Sequence, residues 1–146
     1  ANLMWNAAWA INGFLDMGKP VAWSVHRMEH ELSAFYDVTH GVGLAILTPN
    51  WMRCVLSEKT EDRFARYGTA VWGLDPARPR RELAEAAIPK TRDFFTSLGL
   101  PAALSELGIG PEYFPEMARK ARNSGFDRTF VPLSVEDIIH IYQMSL

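Results

Sequence analysis

Several things are scarce in this sequence, and each scarcity narrows what the chain can be. Of 146 residues only one is cysteine, Cys54, so no internal disulfide is available and the core must close by packing alone. Seventeen acidic and fifteen basic side chains leave a formal charge of −2, with no long run of lysine or arginine. A row of phosphates would find little to neutralise it, and no nucleic acid partner is expected. Neither a signal-peptide pattern nor an apolar run of membrane-spanning length is present, so no membrane partner is expected and a cytoplasmic location is. Period-two alternation, internal repeats and low-complexity stretches are missing too, which removes the usual signals of sheets and solenoids.

What is present is a chain with 48% hydrophobic residues, enough for one sizeable core and too short for two independent domains. Apolar residues recur at three and four positions almost throughout, and the expectation is an all-α bundle of about seven helices. A first helix over 2–14 ends at Gly13 or Gly18, with Pro20 beyond it as a breaker. The second, over 21–36, closes on a turn at Asp37. A third over 40–56, with Thr39 as its cap, either kinks at Pro49 or restarts at Thr48. Thr60 and Gly73 bracket a helix over 61–72, and a longer one over 80–98 must bend at Pro89 and stop at Gly99. Short helices near 103–107 and 112–122 precede a last one, for which Ser134 and Asp137 form a capping box. The opening at Ala1, directly into an amphipathic stretch with no methionine or polar lead-in, reads as a piece of something longer.

Three of the four histidines fall in one string, Val25-His26-Arg27-Met28-Glu29-His30-Glu31-Leu32 continuing to Asp37-Val38-Thr39-His40-Gly41-Val42-Gly43. On a helix, His26 and His30 point from one face about 5 to 6 Å apart. His40 returns after the Asp37 turn and can face the same place, and Gly41 and Gly43 remove bulk beside it, allowing a ligand to approach the backbone. Imidazoles suit a divalent transition metal, which could polarise a carbonyl or alkoxide oxygen. Such sites usually add a carboxylate or another imidazole. Glu29 and Glu31 are read as lying off the histidine face, and Asp37 as better used in the turn. From spacing alone a metal site and an incidental polar cluster on a helix surface stand level.

The string from His26 to Gly41 resembles the metal-binding signature of the iron-dependent alcohol dehydrogenases: two histidines four apart and, after the turn, a His-Gly pair. The likeness extends over His40–Pro49, over Phe94-Phe95 to Ile109, and over Phe130 to the carboxy terminus. In detail it is most like the butanol dehydrogenase and broad aldehyde reductase branch. The resemblance implies that residues 1–146 are the C-terminal helical metal-binding domain of a dehydroquinate synthase-like, iron alcohol dehydrogenase fold. It further implies that His26 and His40 ligate the ion, Fe²⁺ or alternatively Zn²⁺, and that His30 is the unligated active-site histidine that helps move a proton. The family completes its site with an aspartate and a histidine four apart on an earlier helix. Upstream of His26 there is one acid, Asp16, and no histidine. The expected chemistry is interconversion of small alcohols and aldehydes with NAD(P)H, the cofactor being bound by a nucleotide domain absent here, so that no cofactor-binding residue is assigned. A homodimer is expected.

Other features have plainer readings. His140 on the last helix is structural or exposed, and Cys54 is a small core residue rather than a nucleophile. Trp5, Trp9, Trp23, Trp51 and Trp72 are assigned to the core, with some available to line an apolar aldehyde pocket. Arg78, Arg80 and Arg81 mark a solvated helix start. The alternative to a dehydrogenase is a non-catalytic helical interaction module whose histidines are incidental. Helices built to pack on a missing partner should leave apolar surface exposed.

Overall fold

The computed structural model describes residues 1–18, 23–126 and 129–146. Among these there are seven α-helices, two short 3₁₀ turns and no strand. They are α1 (Asn2–Ile11), a 3₁₀ turn at Phe14–Asp16, α2 (Ser24–Tyr36), α3 (His40–Val55), α4 (Glu61–Trp72), α5 (Arg80–Ser97), a 3₁₀ turn at Leu104–Leu107, α6 (Phe114–Asn123) and α7 (Val135–Met144). The all-helical expectation holds, and most boundaries fall within two or three residues of the sequence reading. Pro20 and Val21, taken as a breaker and a helix start, lie outside the described residues.

The hairpin of α2 and α3 is the centre of the bundle. Helix α6 packs on α2 and α7 on α3, the two also packing on each other, while α5, which carries α4, packs on α3. Met28 and Leu32, four apart on α2, are fully buried and share one core cluster with Ile46, Leu47 and Met52 of α3 and with Phe114, Met117, Ile138 and Ile141 of α6 and α7. Each such side chain contributes roughly 1.5–3 kcal/mol on leaving water. The buried Tyr142 hydroxyl donates to the Met28 carbonyl at 2.7 Å, and its ring stacks on Phe114 at 5.2 Å. The stretch of α2 that carries the histidines is thereby tied to α7.

Local chemistry explains the element ends. Asp37 adopts φ +53°, the left-handed conformation that stops α2 and turns the chain within three residues into α3; aspartate tolerates that region better than most side chains do. Gly73 closes α4 at φ +63°, and Ser134 with Asp137 forms the expected capping box at α7. The third helix does not restart at Thr48. It runs unbroken through Pro49, and the Thr48 hydroxyl donates to the Leu44 carbonyl at 2.6 Å. Thr39 and Thr60 make no side-chain cap bond. Thr60 is instead drawn into the turn before α4, where its hydroxyl donates to the Val55 carbonyl at 2.8 Å and accepts from the Ser57 amide at 2.8 Å.

The tryptophans depart furthest from expectation. Trp5, Trp9 and Trp23 are 65%, 37% and 38% exposed, and Trp51 and Trp72 are only half-buried. Helix α1 contributes no buried residue and packs on the 3₁₀ turn that follows it. An aromatic residue supplies core only where another element covers it, and periodicity cannot say whether one does. The arginines behave as read: Arg78, Arg80 and Arg81 are solvent-facing and pair with Glu82, Asp62 and Glu85.

Candidate metal centre

Three imidazoles meet between α2 and the start of α3. His26 and His30 project from α2, and His40 stands in the first turn of α3. Ring centroids lie 5.2 Å apart for His26 and His40, 5.4 Å for His30 and His40, and 6.4 Å for His26 and His30. A nitrogen-to-metal bond is about 2.0–2.1 Å and the ring centroid lies roughly 1.1 Å behind the nitrogen, so two rings can share one ion up to a centroid separation of about 6.4 Å. Both pairs that include His40 lie well inside that reach, and His26 with His30 stands at its limit.

His26 is half-buried, and the Trp23 ring meets it edge-on at 4.5 Å. Burial first, then the nearness of His40 and His30, hold its imidazole below the usual histidine range, against an opposing pull from Glu29. A neutral ring keeps its lone pair free, which is the state a metal requires. His30 and His40 are more open to solvent. His140 is exposed on α7 and takes no part. Cys54, whose thiol is pushed up by burial, is packed half-buried against the core.

Glu29 overturns the expectation that it lies off the histidine face and fits the site poorly. Three positions after His26 it is a neighbour on the helix surface, and with Ser33 four further on it forms a stripe facing α3. Its side chain is wholly buried. One carboxylate oxygen, Oε2, accepts a hydrogen bond from Nδ1 of His40, and the other, Oε1, accepts from the Ser33 hydroxyl at 2.6 Å. Ligand atoms of Glu29, His30 and His40 all lie within 4.8 Å of one another. The two glycines have different uses. A Cβ on Gly43 would fall 2.6 Å from Glu29 Cγ, so that glycine admits the carboxylate rather than a foreign ligand, whereas Gly41 has nothing within 4 Å.

Two clefts flank the histidines. The larger, about 570 Å³, is walled by Trp23, Leu44, Ala45, Trp51 and Phe95, with His26, Asp16, Ser24 and Thr48 as its polar points. The other, about 360 Å³, lies between His26, His30, Arg27 and Ser124. Two of the tryptophans thus line a mostly apolar cavity beside the imidazoles, as the sequence reading allowed.

Comparison with known proteins gives this geometry a setting. The Fe-containing alcohol dehydrogenase family, C-terminal, matches residues 2–146. The chain belongs to that family. NADH-dependent butanol dehydrogenase A of Clostridium acetobutylicum is 51% identical over 147 residues, covering 99% of this chain and 38% of the relative. The NADPH-dependent aldehyde reductase YqhD of Escherichia coli is 34% identical over 86% of this chain and 32% of its own length. Among solved structures, NADH-dependent butanol dehydrogenase A from Thermotoga maritima superposes with a TM-score of 0.88 at 30% identity, covering 99% of this chain and 38% of that one. This member of the iron-containing alcohol dehydrogenases thus spans about a third of the length of the relatives it matches. Membership in a family of dehydrogenases does not favour the interaction-module alternative.

Proposed function

We propose that this chain is the metal-bearing part of an alcohol dehydrogenase or aldehyde reductase that interconverts small primary alcohols and aldehydes with NAD(P)H, His26 and His40 serving as metal ligands. The observation that carries the reading is the return of His40 to within 5.2 Å of His26 and 5.4 Å of His30 across a three-residue turn. The donor set fits: imidazole nitrogen is a suitable ligand for divalent iron or zinc, His26 is held neutral, and the Nδ1 of His40 is already engaged, which leaves its Nε2 free. When bound, such an ion supplies Lewis acidity toward a substrate oxygen, and NAD(P)H, held by a part of the polypeptide outside these residues, supplies the hydride.

This chain's own residues do the rest. The apolar walls of the larger cleft take the carbon chain of the substrate and keep water from it, while His26 in its lining sets where the oxygen end must lie. The Trp23 edge fixes the His26 ring. His30, exposed and 5.4 Å from His40, gives a proton to the oxygen as aldehyde becomes alcohol and accepts one in the reverse direction. Solvent reloads it.

In the full polypeptide that carries this chain, His26→Ala and His40→Ala are each expected to lose retained metal and NADH-linked reduction of butanal together. His30→Ala is expected to keep the metal and lose about 10²- to 10⁴-fold in turnover, the usual worth of a positioned proton donor. Metal content by elemental analysis and steady-state rates check both. Full activity and full metal content in the His26 and His40 variants would end the reading.

A further inference from the structure

We propose that Glu29 is a positioning residue for the metal site: by taking Nδ1 of His40 it leaves Nε2 as the one coordinating nitrogen of that ring and fixes the ring beside His26 and His30. The inference rests on His40 being a metal ligand and adds a residue which that reading does not need. Imidazole has two nitrogens, and which of them can meet a metal is set by the bond the other one makes. Here that bond goes to Oε2 of Glu29.

The surroundings of Glu29 are built for this contact. Its carboxylate is wholly buried, a placement that is costly unless its oxygens are satisfied. Oε2 is used by His40, and Oε1 is 2.6 Å from the Ser33 hydroxyl. Among the described residues no lysine or arginine forms an ion pair with it. The carboxylate lies instead against the first turn of α3, where the helix end favours negative charge and where Thr39 gives no side-chain cap. Room for it exists only because residue 43 is glycine, since a Cβ there would stand 2.6 Å from Cγ and 2.8 Å from Oε1. The Ser33 hydroxyl oxygen also lies 2.8 Å from the Val38 carbonyl, so its single proton serves either Glu29 or Val38. Because Oε2 faces His40 and Oε1 faces Ser33, Glu29 is taken as a partner of a ligand, and the glutamine variant tests this against direct ligation.

Glutamine separates these roles. In Glu29→Gln, Oε1 can accept from His40 Nδ1–H, and the amide can donate to the Ser33 oxygen while the Ser33 hydroxyl donates to Val38. The hydrogen bond survives without the charge. The test uses the full polypeptide loaded with Co²⁺, competed with a chelator, with the visible spectrum of the bound ion as a second readout and thermal melting as a check on folding. Glu29→Ala is expected to lower Co²⁺ affinity about 10- to 100-fold, the usual cost of removing a partner of a metal-bound histidine, and to shift the spectrum. Glu29→Gln should recover all but a few-fold of the affinity and the parent spectrum. Gly43→Ala, which pushes on the carboxylate without removing it, should weaken binding in the same sense and carries the test with Glu29→Gln if Glu29→Ala does not fold. Unchanged affinity and spectrum in folded Glu29→Ala or Gly43→Ala would overturn the proposal and reduce Glu29 to a packing role. Loss of metal in Glu29→Gln as complete as in His40→Ala would overturn it in favour of direct ligation. His40→Ala is the control: undiminished Co²⁺ binding there refutes the ligand assignment itself, whereas loss there with no effect at Glu29 refutes only the positioning role.

Discussion

At the scale of single residues, Tyr142 links the α7 core to the backbone between two of the histidines, through its hydrogen bond to the Met28 carbonyl. Tyr142→Phe keeps the ring and loses that bond, and should cost about 0.5–1.5 kcal/mol of stability, read from urea unfolding. Cys54 has a thiol raised by burial, so little thiolate exists at neutral pH and nucleophilic reactivity is suppressed. Iodoacetamide at pH 7.5 should label it slowly in the folded chain and rapidly after denaturation; equal rates would place it in an exposed environment. These single-residue features differ in how far the sequence announced them. The histidines were legible because three of a rare residue type fell within one turn-linked string. Glu29 was not, although its i, i+3 relation to His26 was there to be read. Its burial depends on Gly43 and Ser33, and helical position alone does not tell a carboxylate that faces a neighbouring helix from one that faces water.

Helices were legible wherever periodicity and end chemistry agreed. The last helix is the clearest instance: Ser134 and Asp137 satisfy each other's backbone donors as the sequence implies. Ser134→Ala should lower stability by about 1 kcal/mol, measured as a shift of the urea midpoint, with the effect transmitted to α2 through Tyr142. Thr39 and Thr60 show where the same reasoning fails. A threonine before a helix is a cap only if its hydroxyl has no better acceptor, and Thr60 finds the end of α3 at Val55. Pro49 fails in the other direction. It sits buried within an unbroken α3, because packing on both sides of that helix offsets the backbone bond that proline cannot make. Cap and breaker rules describe isolated helices, and α3 and α4 are not isolated.

For the whole molecule, the bundle was legible and the placement of α1 was not. Leu3, Met4, Trp5 and Ile11 are 83%, 79%, 65% and 75% exposed, which forms the apolar surface expected of helices that lack a partner. The chain should bind a hydrophobic dye and self-associate in a concentration-dependent way, and Leu3→Glu with Trp5→Glu should suppress both. A strictly monomeric, dye-negative chain would show that this helix finds cover of its own. The α2–α3 hairpin bears on time as well as place. The contact that ties α7 to α2 joins residues 114 apart in sequence, whereas the carboxylate and imidazole of Glu29 and His40 are only 11 apart. Loops of that shorter length close in about 10–100 ns, and entropy delays the longer closure. If the proposed site takes metal, a cation supplied during refolding would meet these imidazoles while the remaining helices were still undocked, and would act as a nucleus for them.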